Sequence, residues 1–144
     1  MPEFSTLVVL HAVPTLCLVG LIWFVQLVHY PLYPAVAATA FVAYEREHCR
    51  RITPLVLPLM LAELAAATLL VLAAPTDATR TLVWLGAALL AVVWASTFLQ
   101  QVPCHRRLEL QADRLAMRRL VRTNWLRTAA WTLRGAIAVL LLLP

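Results

Sequence analysis

Three features of this 144-residue sequence predict an all-α bundle of four transmembrane helices. Hydrophobic residues make up 62% and charged residues only 13%, and mean hydropathy is +0.82. A soluble domain of this size carries about 25% charged residues to cover its surface. The apolar residues also gather into four runs, each close to the ~20 residues that cross about 30 Å of hydrocarbon. Finally, no run alternates with the period of a strand, and lipid offers an open backbone no hydrogen-bond partner, which leaves helices.

The first span covers about 7–30 and is interrupted only by His11, Pro14 and Gln26. Glu3 precedes it and no basic residue does, so it reads as a retained helix rather than a cleaved leader. The second covers about 54–74, with Thr53 as N-cap and Pro54 at the first helical position, where a missing N–H costs nothing. The third covers about 81–102 and the fourth about 124–143, in a single integral membrane domain. Residues 75–80 (PTDATR) form a tight turn that makes spans two and three an antiparallel pair. The other two connections carry amphipathic periodicity. Ala37, Phe41 and Tyr44 oppose Glu45, Arg46, Glu47 and Arg50, and Leu108, Leu115 and Leu120 oppose Arg107, Arg114 and Arg118. Both read as interfacial helices lying along one membrane face.

Charge sets the orientation. The two amphipathic connections hold nine arginines and the opposite side holds only Arg80, so the positive-inside rule places both connections in the cytoplasm and both termini outside. This is the expected arrangement of a multi-pass protein of a bacterial cytoplasmic membrane. All 12 basic residues are arginine. The net charge of +5 sits beside apolar spans, where anionic lipid headgroups are nearer partners than nucleic acid. Cys17, Cys49 and Cys104 form no CxxC and read as small hydrophobic or unpaired thiols. Span one ends FVQLVHYP and span three ends FLQQVPCH, a similarity that suggests a duplicated two-span unit with parallel halves.

Polar residues inside the spans are the functional signal, because each costs about 2.5–3.5 kcal/mol on insertion when ionised. Glu63 lies ten residues beyond Thr53 and Arg134 ten beyond Asn124. At about 1.5 Å per residue both sit roughly 15 Å inside the cytoplasmic boundary, where they are expected to pair. Asn124, Arg127, Trp131 and Arg134 form one stripe along the fourth span that should face the bundle. With Gln26 and Gln101, and with His29, Glu45, His48 and His105 near the cytoplasmic ends, these residues define a polar cavity opening inward. His29, His48, His105 and Arg127 are its candidate catalytic groups: imidazoles to move protons and a guanidinium to offset an anion. Gln26, Glu45, Glu63, Gln101, Asn124, Trp131 and Arg134 are its candidate substrate contacts. If a metal is bound, His29, His48, His105 and Glu45 are its ligands, although no HExxH, CxxCH or repeated ExxH motif is present. Trp23, Trp84, Trp125, Tyr30 and Tyr33 suit the aromatic belt.

The segments His29–Tyr33, Tyr44–Arg51 and Asn124–Arg134 resemble those of a group of small bacterial four-span membrane proteins without an assigned activity. More distantly, Val102–Leu108 (VPCHRRL) and Asn124–Thr128 (NWLRT) resemble segments of the anthrone-oxygenase-like membrane proteins. That resemblance implies oxidation of polycyclic phenols and points to His105, Asn124 and Arg127 as substrate-facing. Three functions follow from the residues. One is a binding protein or enzyme for an amphipathic or anionic small molecule such as a phenol, quinone or lipid. Another is a transporter with Glu63 as its proton-coupled group. The third is an assembly subunit of an oligomer or a larger membrane complex.

Overall fold

A computed structural model describes residues 3–143 of the chain. The described residues are helical nearly throughout and contain no strand, and four helices are long and apolar enough to cross a membrane. Helix α1 (Phe4–Phe24) runs into a π-helical turn (Val25–His29) and a 3-10 turn (Tyr30–Ala35). Helix α2 covers Ala38–Ala73, and α3 covers Asp77–Ser96 before a second π-helical turn (Thr97–Gln101) and the short α4 (Val102–Leu108). Helix α5 covers Arg114–Leu142. Around the bundle α1 packs between α2 and α5, and α5 packs between α1 and α3, while α2 and α3 meet over a smaller area.

The first amphipathic connection is not a separate interfacial helix. Residues 38–51 are the opening turns of α2, a helix of 36 residues or about 54 Å, which outruns the hydrocarbon layer. Pro54 therefore lies in a helix interior and does not start one, and Pro58 follows it there. Thr53 is likewise no cap: its hydroxyl donates back to the Cys49 carbonyl at 2.8 Å, a bond typical of bent helices. Membrane helices tolerate such prolines because neighbouring groups recapture the freed carbonyls. The second connection is also split between two spans. Its first residues continue span three as α4, the chain turns at 109–113, and the remainder opens α5. Asp113 caps α5 by accepting from the N–H groups of Leu115 (2.8 Å) and Ala116 (3.2 Å). The Ala116 N–H, then that of Leu115 and the neighbouring Arg107, hold its carboxyl below the usual carboxylate range.

The similarity between the ends of spans one and three has a backbone counterpart. Each ends in a five-residue π-helical turn followed two residues later by a proline, Pro31 or Pro103, whose absent N–H cannot continue the α-ladder. Pairing the two turns through these prolines shifts the correspondence by two residues from that of the FVQLVHYP and FLQQVPCH strings.

The core has three layers. Leu7, Val8, Leu70 and Val83 pack at the end nearest residue 3. Leu18, Ile22, Met60, Val93, Ala130 and Trp131 fill the middle. Tyr30, Tyr33, Phe41, Leu108 and Leu120 close the arginine-rich end. Outside these layers, residues such as Leu72, Trp84, Phe98 and Leu133 are exposed, as a lipid-facing surface requires.

Candidate functional site

Two polar groupings stand inside the bundle, one in its middle and one toward the arginine-rich end. The middle one is the expected ion pair. Arg134 donates through Nε to Glu63 Oε1 at 2.8 Å, and both side chains are almost fully buried. Glu63 also accepts from the Thr15 hydroxyl at 2.9 Å and from Trp131 Nε1 at 3.1 Å. Arg134 further donates to the Gly86 carbonyl and contacts His11 Nε2 at 3.0 Å. In the sequence His11 is only an interruption of an apolar run and Thr15 carries no signal, yet they lie one turn apart on the face of α1 that meets the pair.

The stripe on α5 is buried throughout: Asn124, Arg127, Trp131 and Arg134 all face inward. Gln26, from the first π-helical turn, accepts from Asn124 at 2.9 Å and donates to the Val121 carbonyl at 3.3 Å. Gln101, from the second, donates to the Thr123 hydroxyl at 3.0 Å. The π-helical turns thus aim one buried glutamine each at α5. Arg127 differs from Arg134. Its guanidinium lies 4.9 Å over the Trp131 ring and donates to Asn124 at 3.2 Å, and no carboxylate pairs with it among the described residues.

The three site histidines converge at the arginine-rich end. His29 stacks on His48 with ring centroids 4.2 Å apart, and His48 lies 5.8 Å from His105. His105 Nδ1 meets Glu45 Oε1 at 2.5 Å and its Nε2 meets the Tyr30 hydroxyl at 3.2 Å. Cys49, one turn from Glu45 on α2, brings its sulfur to 3.7 Å from the same carboxylate oxygen. The sequence alone marks Cys49 only as an unpaired thiol; its i, i+4 spacing from a buried glutamate is the signal that sets it apart. Tyr30 and Tyr33 are 3% and 1% exposed, so they are core residues and not part of an aromatic belt. Trp23, Trp84 and Trp125 do reach the outer surface.

Beside this cluster a cavity of about 240 Å³ runs from the histidines toward the bundle centre. Leu18, Ile22, Met60, Trp94 and Phe98 make its apolar wall, and Tyr30, His48, Gln101, His105 and Arg127 supply its polar end. Leu57 and Phe98 line it and are also exposed, so its mouth opens through the side of the bundle between α2 and the second π-helical turn. An apolar groove along α2 and α3 shares Trp94 and Phe98 with the cavity.

The expected site therefore divides. His48, His105, Gln101, Arg127 and Trp131 line the cavity. Glu45 and Asn124 stand behind it as partners of the lining residues His105 and Arg127, and Gln26 stands behind Asn124. His29 touches the site through His48. Glu63 and Arg134 lie outside the cavity, joined to it through Trp131, whose ring underlies Arg127 and whose N–H reaches Glu63. The chain matches no family model, no curated protein and no solved structure.

Chemically, the lining offers three capacities. The Glu45–His105 pair can orient an imidazole and hold or release a proton at it. Arg127 can bind an anionic oxygen in surroundings of low dielectric. The apolar wall can take the body of a hydrophobic molecule.

Proposed function

We propose that the protein is a membrane-embedded binding protein or enzyme for a lipophilic molecule with an anionic or phenolic head. The molecule enters from the lipid between α2 and α3 and places its head between Arg127 and His105. The observation that carries this reading is Arg127: a buried guanidinium without a carboxylate partner, at the polar end of an otherwise apolar cavity. A buried charge of this kind calls for a counter-charge, and Arg134 in the same helix has one within the protein. Phe98, Trp94 and the groove beyond them offer a tail or ring system a continuous apolar path. A polycyclic phenol, the substrate class implied by the resemblance to anthrone-oxygenase-like proteins, belongs to this group. In that case His105, backed by Glu45, takes the phenolic proton and Arg127 stabilises the oxyanion. The arginine distribution supports placing the polar end in the cytoplasm of a bacterium, with both termini outside.

The test uses protein in lipid nanodiscs, titrated with a long-chain carboxylate, a hydrophobic phenol and a neutral ester of matching size. The wild type is expected to bind the carboxylate at least about tenfold more tightly than the ester, a difference of about 1.4 kcal/mol. Arg127→Met is expected to abolish that preference, and Arg118→Met, on the surface, to keep it. Equal affinity for charged and neutral probes in the wild type would remove the proposal's basis.

A further inference from the structure

We propose that Glu45, Cys49 and His105 bind a divalent transition metal ion of borderline softness, such as zinc, with a fourth coordination position left open. Cys49 and Glu45 lie one turn apart on α2, and His105 comes from α4, so the three clamp a point between two elements. One ligand atom from each lies within 4.8 Å of the other two. Cys49 Sγ is 3.7 Å from Glu45 Oε1 and 3.8 Å from His105 Nδ1. A tetrahedral zinc ion, with bonds of about 2.3 Å to sulfur and 2.0–2.1 Å to nitrogen and oxygen, sets the sulfur edges at about 3.5 Å. Two of the three edges are thus already close to the required length. The third, Nδ1 to Oε1 at 2.5 Å, is spanned by a proton and opens by about 0.8 Å when the ion replaces it.

Two further observations point to a ligand. The Glu45 side chain is wholly buried, and its Oε2 makes no hydrogen bond of ordinary geometry among the described residues, with the equally unpartnered Tyr33 hydroxyl beside it. An acceptor in that state is costly unless something fills it. His105 Nε2 lies against the Tyr30 hydroxyl at 3.2 Å. Metal-binding imidazoles commonly make such an outer contact, which fixes the ring and leaves the other nitrogen for the ion.

The donor set selects the metal class. One thiolate, one imidazole and one carboxylate suit zinc, cobalt(II) or iron(II). Magnesium and calcium prefer an all-oxygen set, and copper(I) prefers a softer one. Coordination requires Cys49 to lose its thiol proton to solvent, and the proton between Nδ1 and Oε1 leaves for solvent or for Nε2. Affinity therefore rises with pH. Three protein ligands and an open fourth position are the pattern of catalytic rather than structural ions. This site does not depend on the lipophilic-anion reading.

The test strips the purified protein of metal in nanodiscs, then titrates zinc against a chromophoric chelator and records the cobalt(II) spectrum. One zinc per chain and a thiolate-to-cobalt charge-transfer band are expected, with affinity increasing with pH. A Cys17→Ser/Cys104→Ser protein, in which Cys49 is the sole thiol, should retain both. Adding Cys49→Ser should erase the band, and Cys49→Ser, Glu45→Gln or His105→Asn should each weaken zinc binding at least about tenfold. Failure of the wild type to take up stoichiometric metal overturns the proposal, as does a band that survives Cys49→Ser. If the substituted proteins do not fold, the sole-thiol protein decides alone: sulfur ligation supports the site and its absence refutes it. The carboxylate-against-ester preference is read separately, so either proposal can fail without the other.

Discussion

Glu63 accepts from Thr15, Trp131 and Arg134, three donors drawn from two helices, at a depth where neither charge could stand alone. The sequence predicts the pair from matched depth along two spans running the same way. The remaining partners are less legible. Thr15 and His11 are ordinary residues of an apolar run until the α1 face that meets α2 and α5 is known. The Gly86 carbonyl that Arg134 reaches carries no sequence signal at all. Removing one member of a buried ion pair costs about 3–5 kcal/mol in soluble proteins, whereas polar contacts between membrane helices average about 0.6 kcal/mol. With four elements engaged, Glu63→Gln and Arg134→Met should each lower stability in detergent by about 2 kcal/mol. The double substitution should lose less than the sum, with a coupling of about 1 kcal/mol measured by a double-mutant cycle. Additive losses would mean that the two groups are held independently by their other partners.

Helix boundaries show where sequence rules from soluble proteins mislead. Thr53-Pro54 has the form of a helix start, but α2 passes through it, because the membrane forbids an open backbone and favours one long continuous helix. The amphipathic pattern of 38–51 is genuine; it marks the part of α2 that emerges beside α4 and carries Glu45 inward. The π-helical turns are not legible at all as such, although the glutamines and the following prolines are. Close packing of α1 on α5 depends on Gly135, where an added Cβ would lie 3.0 Å from Val19 Cγ2. Gly135→Leu should therefore cost about 1–3 kcal/mol by overpacking. Gly20→Ala, with open space around it, should be neutral or stabilise by up to about 1 kcal/mol through helix propensity. Thermal midpoints of the two variants in one detergent check both, and an equal response at the two glycines would contradict the packing described.

For the whole molecule, the four-helix architecture was legible from hydropathy alone, and so was the convergence of His29, His48 and His105 at one end. The sequence did not reveal that the polar residues form two groupings, because depth along a helix says little about azimuth between helices. Nor did it reveal a cavity with a lateral mouth, which results from the small contact between α2 and α3. Orientation rests on charge: single-cysteine labelling should find residue 77 accessible from outside and residue 114 only from the cytoplasm. Labelling of both from one side would overturn it. The most direct measurement of the cavity's role is photo-crosslinking in nanodiscs with a diazirine-bearing lipophilic phenol, followed by peptide mapping. Crosslinks should concentrate on the cavity wall at Met60, Trp94 and Trp131, should be displaced by excess unlabelled phenol, and should fall sharply in Arg127→Met. Crosslinks spread evenly over lipid-facing residues such as Leu72, Trp84 and Leu133, unaffected by competitor or by Arg127→Met, would contradict a binding site in the bundle.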